Sequence, residues 1–305
     1  MKAVVIKKFG DPSVLEFSEV DRPVPEEGQV LVKIHASAVN PMDWKIRQFG
    51  NGKELQEPLI LGMDMAGEVV DTGSNTEFKT GDKVYGYIDT SIMGCYAEYA
   101  AVPASNIAIM PGNLNFTEAA SLPVSCITAI DGLFLKHSLK AGEKILIHAA
   151  AGGVGVMAVQ LARLTGAKVY ATASPKNHAF LSELGVNECI DYNTVQFDEV
   201  LKGIDVVFEA IGGEVQEKSY RVLKKGGSLV SITDVPDRKK AEEYGVHAYH
   251  VWALPSKKIL DKITGLIEDG ALKPIVGKVF SLEDIIEAHK LSESSHARGK
   301  IAISI

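Results

Sequence analysis

A continuous apolar strand, a glycine-rich turn and an apolar helix follow one another between Glu143 and Gly166. This order constrains the fold of the 305-residue chain more than any other feature. The segment "EKILIHAA" is typical of a strand that is buried on both faces of a parallel sheet. The segment "VGVMAVQLARLTG" is predicted to form a mostly apolar helix that ends at Gly166. A strand joined to a helix by a tight turn is half of a βαβ unit, so this part of the chain is predicted to contain a parallel sheet.

The alternation of strand and helix continues after this first unit. Pro175 is predicted to open the next helix and Gly185 to end it. The fold class predicted for this region is therefore α/β, a doubly wound parallel sheet. Further strands are predicted at "AKVYATA", "CIDY", "IDVVFEA" and "GSLVSIT", and further helices at "PKNHAFLSELG" and "EVQEKSYRVLKKGG".

The N-terminal part of the chain has a different pattern. From Met1 to about Pro123, short β-patterned runs such as "QVLVKIHASAV" are separated by Gly, Pro, Asp and Asn turns, which predicts a β-rich domain. The charged segment "DVPDRKKAEEYG" is predicted to be a surface loop or a short exposed helix. Near the C-terminus, helices are predicted at "SKKILDKITGLIEDGAL" and "SLEDIIEAHKLSESS", and a strand at "GKIAISI".

Composition excludes several classes of function. The net charge is −7 and Lys and Arg form no dense blocks, which argues against nucleic acid as the main partner. No apolar run approaches the roughly 20 residues that span a bilayer. The N-terminus lacks a secretory cleavage site, so a cytoplasmic protein is predicted. Cys95, Cys126 and Cys189 are too few and too far apart for a disulfide framework or a zinc site built from cysteines.

The glycine-rich turn is predicted to bind the pyrophosphate of a dinucleotide. It resembles the G-x-G-x-x-G fingerprint with Ala150 in place of the first glycine, a change that the turn tolerates if φ there is negative. Gly152 lets the backbone approach the anion, Gly155 lets the helix pack closely, and the helix N-terminus supplies free N–H groups. The predicted cofactor-binding residues of the turn are Ala151, Gly152, Gly153, Val154 and Gly155.

The end of the second strand indicates which dinucleotide is bound. NAD-binding sheets place Asp or Glu there to hold the ribose 2′-hydroxyl, whereas this chain has Ser174, with Lys176 two residues later. A hydroxyl and an ammonium favour a 2′-phosphate, so NADP(H) is predicted over NAD(H). The alternative for Lys176 is a solvated residue in the first turn of a helix.

With these elements in place, the whole chain resembles the medium-chain dehydrogenase/reductase superfamily, and within it the zinc-independent quinone oxidoreductase branch. The resemblance implies a GroES-like catalytic domain at 1–123 and 269–305, a Rossmann NADP(H)-binding domain at 124–268, and a homodimer formed through edge strands near "HAYHVWAL". The matching motifs are "HASAVNPMDWKIR" (35–47), "LGMDMAGEVVDTG" (61–73), "GDKVYGY" (81–87), "AASLPVSCITAIDGL" (119–133), "HAAAGGVG" (148–155) and "GKIAISI" (299–305).

The metal motif of the zinc-dependent relatives is absent. Those enzymes have Cys at the position of Asn40, Gly-His-Glu at 62–64, where this chain has Gly-Met-Asp, and a third thiolate at Val124. Catalytic zinc needs three protein ligands, so no metal site is predicted. Without a Lewis acid, the expected hydride acceptor is one that delocalises negative charge itself, such as a quinone or an α,β-unsaturated carbonyl.

The resemblance also implies roles for individual side chains. The Asn-Pro-x-Asp segment lies beside the nicotinamide in related enzymes, so Asn40, Asp43 and Lys45 are predicted catalytic residues, Asn40 also as a cofactor contact. Tyr85 is a candidate proton donor; Asp43 is alternatively a turn or ion-pair residue and Tyr85 a core aromatic. The remaining predicted cofactor contacts are Thr128, Tyr192, Ile211, Gly212, Ser231, Thr233, Arg298 and Lys300, the last two with a charged turn before a strand as the alternative.

The function predicted first is NADPH-dependent, zinc-independent reduction of a quinone or α,β-unsaturated carbonyl. An enoyl-thioester reductase is the second hypothesis, although no basic surface for an acyl carrier is visible in the sequence. An NADPH-binding protein with little turnover, serving as a structural or sensor module, is the third. Intact cofactor motifs do not separate the enzyme from the sensor.

Overall fold

The computed structural model describes residues 1–52, 54–55 and 57–305 and divides the chain into two compact units. The first unit consists of Met1–Ile127 and Leu254–Ile305, and the second of Thr128–Ala253. The sequence places the boundaries after residues 123 and 268 instead, so the segment 254–268 lies in a different unit from the one expected.

The N-terminal part of the first unit is rich in short strands, as predicted. Its helices are α1 (Pro41–Phe49) and α2 (Phe116–Ala120), and α3 (Pro123–Ile130) begins in this unit and ends in the second. Its strands are β1 (Lys2–Ile6), β2 (Glu16–Glu19), β3 (Gln29–Val39), β4 (Leu59–Ile60), β5 (Asp64–Thr72), β6 (Lys83–Tyr87), β7 (Tyr99–Pro103) and β8 (Ile107–Ile109).

The second unit alternates strands and helices. Its strands are β9 (Lys144–Ile147), β10 (Lys168–Ala173), β11 (Glu188–Asp191), β12 (Ile204–Glu209), β13 (Leu223–Ser231) and β14 (His247–His250). Its helices are α4 (Gly153–Thr165), α5 (His178–Leu184), α6 (Phe197–Val200), α7 (Gly213–Ser219) and α8 (Arg238–Tyr244). The C-terminal segment then adds α9 (Lys257–Glu268), β15 (Val276–Ser281), α10 (Ile285–Glu293) and β16 (Lys300–Ser304) to the first unit.

All strand pairs of the second unit are parallel, and the strand order is β11-β10-β9-β12-β13-β14. This is the doubly wound Rossmann order, in which the chain runs outward in one direction from β9 and then in the other from β12. Ligands of such sheets bind at the carboxyl ends of the strands, where the direction reverses. The predicted fold class is therefore confirmed, and the carboxyl ends of β9 and β12 are the place to search for a site.

The first unit contains a sheet with the strand order β15-β16-β3-β5-β6-β8, and β7 also pairs with β3. The last strand, β16, runs antiparallel to β3, with Ile301 opposite Val39. This pairing brings the C-terminal segment beside the residue that opens α1, Asn40. A core of apolar side chains from β3, β5, β6 and the segments around them packs on one face of this sheet, including Val32, Met65 and Val84.

One predicted element is wrong. The helix expected over "EVQEKSYRVLKKGG" ends early, because α7 stops at Ser219 and the chain is already extended in β13 from Leu223. Gly226, with φ of 75°, then adopts a left-handed conformation that a helix does not contain. The charged segment before β14 forms the short helix α8, one of the two predicted alternatives. In the described part of the chain, no helix is long and apolar enough to cross a membrane.

Candidate functional site

The glycine-rich turn between β9 and α4 has the geometry of an anion cradle. Its left-handed residue is Ala149, with φ of 48°, so the positive φ does not fall on Ala150. The Gly152 N–H donates to the Ala149 carbonyl at 2.9 Å, and Gly152 is the N-cap of α4 without a side-chain hydrogen bond. A Cβ at Gly155 would lie 2.3 Å from the Ala149 oxygen, so only glycine allows this close approach. The first N–H groups of α4 have no helical partner and can receive a phosphate.

The carboxyl ends of β10 and β11 bring three predicted cofactor residues to one edge of the sheet. Ala173 pairs with Asp191, so Ser174 and Tyr192 are the next residues beyond the two strands. Lys176 lies in the turn Pro175–Asn177 that follows, and both Lys176 and Tyr192 are exposed. This edge thus presents a hydroxyl, an ammonium and a phenol, beside the Asp191 carboxylate, whose oxygens accept hydrogen bonds from Asn193 and Thr194.

A buried carboxylate at the end of β12 connects four more of the predicted residues. The Glu209 Oε1 accepts the N–H groups of Ile211 and Gly212 at 2.5 and 2.7 Å. Its Oε2 accepts the hydroxyls of Thr233 and Ser231 at 2.9 and 3.2 Å. We call these five residues, with Gln216, the Glu209 cluster. Gln216 Nε2 donates to Ser231 Oγ and to the Asp234 carbonyl, both at 3.0 Å.

The Glu209 cluster fixes the shape of the loop after β12. Gly212 has φ of 89°, and a Cβ there would lie 2.5 Å from the Asp234 carboxylate. Since the N–H groups of Ile211 and Gly212 already donate to Glu209, this loop has no spare backbone donors at those two positions for an anion. The loop after β12 can therefore shape a cofactor site, while polar groups for a cofactor would come from the side chains at the end of β13.

His148, the last residue before the glycine-rich turn, is a buried structural histidine. Its Nδ1 lies 2.9 Å from Thr172 Oγ1 and its Nε2 lies 3.1 Å from Ser219 Oγ. The ring also packs edge-on against Phe197. Burial lowers the pKa of His148 to about 3, so the imidazole is neutral and each ring nitrogen is used in holding β9 to its neighbours.

In the first unit, Lys300 and Asp64 form a buried ion pair beside the predicted residue Asn40. The Lys300 ammonium contacts Asp64 Oδ2 at 2.9 Å and Asn40 Oδ1 at 2.5 Å. Asn40 Nδ2 donates to the same Asp64 oxygen at 2.9 Å. The other Asp64 oxygen accepts the Val124 N–H at 2.9 Å. The Asp64 side chain is fully buried and that of Lys300 is 5% exposed.

Asp43 is linked to this ion pair through Asn40, which precedes it by three residues at the start of α1. Its Oδ2 accepts the Asn40 N–H at 2.7 Å and the Tyr96 hydroxyl at 3.1 Å, and its Oδ1 is buried without a partner among the described residues. Burial raises the pKa of Asp43 to about 7, against the opposing effect of the Asn40 hydrogen bond and the Lys300 charge. We call Asn40, Asp43, Asp64, Tyr96 and Lys300 the Asp64 cluster.

The Asp64 cluster does not fit a metal ion. A cation at Asn40 and Asp64 would lie against the Lys300 ammonium, which already uses an oxygen of each. Among the described residues, no group of three His, Cys, Asp or Glu side chains is placed to hold a metal. At the positions where zinc-dependent relatives have metal ligands, this chain has Asn40 and Asp64. The amide oxygen of Asn40 and a carboxylate oxygen of Asp64 both accept from Lys300 Nζ, which is the environment of an ammonium.

Two other predicted catalytic residues have different surroundings. The Tyr85 hydroxyl donates to the Leu260 carbonyl at 2.8 Å and lies 3.1 Å from Thr264 Oγ1, which places it against α9. Burial raises the pKa of Tyr85 above its usual range, so it is a poor acid. Lys45 is exposed, with its ammonium 5.8 Å from the Trp44 ring centroid. The catalytic roles of Tyr85 and Lys45 stay predictions.

The last two predicted cofactor contacts lie at the ends of elements. Thr128 is a buried residue of α3 and the first residue of the second unit. Arg298 is exposed and precedes β16, two residues before Lys300. The cofactor contacts of Thr128 and Arg298 stay predictions.

The residues at the centre of each cluster are not predicted as functional from the sequence. Asp64 stands out there only as a departure from a metal motif, and no motif includes Glu209, Gln216 or Tyr96. A signal was present, because a charged residue that ends or opens an apolar strand, as in "IDVVFE" and "DMAGEVV", requires a buried partner. The partners of such a residue lie far along the chain, and spacing does not identify them.

The raised pKa of Asp43 predicts a pH dependence of stability. The pKa of Asp43 is about 7 in the folded state and that of an unperturbed aspartate is 3.8, so between these two pH values the folded state binds more protons than the unfolded state. Asp43 therefore contributes stability that is full below about pH 4 and is lost as the pH rises through 7. Three units of pKa correspond to roughly 4 kcal/mol. Asp43→Asn should gain stability relative to the wild type as pH rises from 4 to 7.

Urea unfolding of both proteins at several pH values measures this difference. Asp269→Asn, the same change at the exposed residue that follows α9, is the matched control for the loss of a carboxylate. A difference between wild type and Asp43→Asn that stays constant from pH 4 to 7 would contradict the shifted pKa.

Comparisons with known families agree with this architecture. The Alcohol dehydrogenase GroES-like domain family matches residues 26–112, and the family described as Zinc-binding dehydrogenase matches residues 184–303. The second description includes a metal, whereas in this chain the Lys300 ammonium contacts the oxygens of Asn40 and Asp64.

Individual relatives match over nearly the whole chain. The 2-methylene-furan-3-one reductase of Solanum lycopersicum and the chloroplastic NADPH-dependent alkenal/one oxidoreductase of Arabidopsis thaliana are each 35% identical, over 99% of this chain and 79% of theirs. The quinone oxidoreductase structure from Coxiella burnetii superposes with a TM-score of 0.94 at 34% identity, covering 100% of this chain and 99% of the other. The chain belongs to the medium-chain dehydrogenase/reductase superfamily.

Proposed function

We propose that this protein is an NADPH-dependent oxidoreductase that transfers a hydride to a quinone or an α,β-unsaturated carbonyl without a metal. The observation that carries the proposal is the turn between β9 and α4, which fits a pyrophosphate at the point where the Rossmann sheet reverses direction. The names of its relatives, an alkenal/one oxidoreductase, a 2-methylene-furan-3-one reductase and a quinone oxidoreductase, support the choice of acceptor.

The second unit is proposed to bind the cofactor. The N–H groups of Gly153, Val154 and Gly155 in the first turn of α4 would hold the pyrophosphate, with Ala151 and Gly152 shaping the turn before them. The residues beyond β10 and β11 would hold the 2′-phosphate of NADPH. A basic side chain beside hydroxyls fits a phosphate, and a carboxylate in that position would repel it. The bound cofactor supplies the hydride, and the protein supplies position and charge.

The Glu209 cluster is proposed to shape the other half of the cofactor site. It fixes Ile211 and Gly212 after β12 and orients the hydroxyls of Ser231 and Thr233 after β13. Thr128 and Arg298 are retained as further proposed contacts. Both strands end at the edge of the sheet where Rossmann folds bind their ligands.

The acceptor class follows from the donor set of the Asp64 cluster. An ammonium and an amide polarise an oxygen less than Zn²⁺ does, so the acceptor must spread the charge that a hydride brings. Quinones and conjugated carbonyls do this, because hydride addition gives a phenolate or an enolate. Asn40 and Asp43 remain the proposed catalytic residues nearest this chemistry, while Lys45 and Tyr85 are secondary candidates.

A homodimer is part of the proposal. The edge strand β14 pairs only with β13 among the described residues, and Trp252, just beyond it, is 56% exposed. An exposed edge strand offers its free backbone groups to a second copy.

Lys176→Ala tests the choice of cofactor. The variant should bind NADPH about tenfold or more weakly, because a charge-assisted hydrogen bond to the 2′-phosphate is lost, while NADH binding changes by less than about twofold. Fluorescence titration of the two nucleotides measures both constants. Lys225→Ala, near the amino end of β13 and so at the opposite edge of the sheet, is the matched control. Equal losses for NADPH and NADH would reject the role of Lys176.

Steady-state oxidation of NADPH with a panel of quinones, enals, enones and enoyl-thioesters tests the activity. We expect turnover with quinones or conjugated carbonyls, and rates that are unchanged after prolonged dialysis against a chelator. Tight NADPH binding without turnover of any acceptor would instead favour a sensor or structural protein. Loss of activity on chelation, restored by zinc, would contradict the metal-free proposal.

A further inference from the structure

The Asn40 carboxamide has one possible orientation, and charge determines it. A lysine ammonium has only donors and a carboxylate only acceptors. With Oδ1 against Lys300 and Nδ2 against Asp64, both contacts are hydrogen bonds. Rotating the amide by 180° would place N–H against ammonium and oxygen against carboxylate, so both contacts would become repulsive. The assignment of the amide oxygen and nitrogen therefore follows from its partners.

This orientation leaves one group of the amide uncommitted. The carbonyl oxygen is used by Lys300 and one N–H by Asp64, and the second N–H has no partner among the described residues. Asn40 keeps 5% of its surface exposed. An ammonium bonded to the carbonyl oxygen also polarises the amide, which strengthens its remaining N–H as a donor.

The backbone holds Lys300 and Asn40 next to each other. Ile301 pairs with Val39 in the antiparallel contact of β16 with β3, so Lys300 and Asn40 are the next residues beyond that pair. Asp64 is fixed from other directions: its carboxylate accepts the Val124 N–H, and its carbonyl accepts the Ser37 hydroxyl at 2.6 Å. The three side chains thus belong to β16, β5 and the start of α1, and none has to be ordered when a ligand binds.

We propose that Lys300 and Asp64 are positioning residues that make Asn40 a fixed hydrogen-bond donor to the oxygen of the hydride acceptor. This inference rests on the proposed function. When a hydride from NADPH adds to the β-carbon of an enone, the C=C electron pair moves toward the carbonyl and negative charge develops on its oxygen. The Asn40 N–H stabilises that oxygen, and a proton taken up from solvent at the α-carbon completes the saturated ketone, so that one NADPH and one H⁺ would be consumed for each NADP⁺ formed. Lys300 acts through the amide and is not itself a catalytic residue.

A double-mutant cycle on the full-length protein tests whether Lys300 acts through Asn40. Asn40→Ala should lower kcat about 100-fold, as loss of an oxyanion donor does, and Lys300→Met about tenfold. The double variant should lie within about threefold of Asn40→Ala alone, because without the amide Lys300 has nothing to orient. Lys278→Met, an exposed lysine on the neighbouring strand β15, should change kcat by less than about twofold.

The affinity for NADPH separates positioning from cofactor binding. All of these variants should keep the Kd for NADPH within about threefold of the wild type in fluorescence titrations. Losses in kcat that multiply in the double variant, or a Kd raised tenfold by Lys300→Met alone, would overturn the proposal and place Lys300 on the cofactor instead.

A second variant keeps the test valid if Lys300→Met folds poorly. That substitution leaves the Asp64 carboxylate buried and unpaired, whereas Lys300→Met combined with Asp64→Asn removes both charges. The neutral pair should fold, and its kcat should still be about tenfold below that of the wild type, because the amide is no longer oriented by charge. Wild-type kcat in this variant would overturn the proposal.

Side-chain amide NMR on asparagine-labelled protein gives a readout that does not need turnover. The Asn40 signals, assigned by their loss in Asn40→Ala, should show one N–H proton protected from exchange and one unprotected, and Lys300→Met should remove the difference. Two equally exchanging protons in the wild type would overturn the inference whatever the activity. Absence of turnover with every acceptor, beside the expected NMR pattern, would reject the proposed function and leave the orientation of the amide established.

Discussion

The buried ion pair between Asp64 and Lys300 is the interaction on which the polar site of the first unit depends. A carboxylate with no exposed surface is costly unless it is paired and hydrogen-bonded, and Asp64 has an ammonium, an amide N–H and a backbone N–H around it. These partners come from β16, the start of α1 and α3. The same contacts that satisfy Asp64 therefore fix the C-terminal strand and orient Asn40.

The second unit uses a buried carboxylate in a comparable way. Glu209 ends β12 and accepts two backbone N–H groups and two hydroxyls, which come from the loop after β12 and from the end of β13. In both units, residues that the resemblance implies as functional are held by an acidic side chain in the protein interior. Their positions are set before any ligand binds, which reduces the entropy lost on binding.

The parts of this structure that the sequence predicts are local ones. The strand, turn and helix around Gly155 follow one another within a short segment, so periodicity and glycine spacing identify them. Lys300 and Asp64 are separated by 236 residues, and no local pattern shows that they meet. The Lys300 ammonium is bonded to Asn40 and Asp64, and its cofactor contact, which the resemblance implies, stays a prediction. The error at "RVLKKGG" has the opposite cause, since non-local contacts extend a helix-like local sequence. Leu223 pairs with Ile204 of β12, and the Gly226 N–H donates to the Gly245 carbonyl at 2.7 Å.

The free energy of unfolding of Asp64→Asn, compared with that of Asp64→Asn combined with Lys300→Met, tests the central claim most directly. Removing the carboxylate alone leaves the Lys300 ammonium buried without its counter-ion, and we predict a loss of about 3–5 kcal/mol. Removing both charges should recover a large part of that loss. A single variant as stable as the wild type, or a double variant no more stable than the single one, would show that the ion pair does not organise the site.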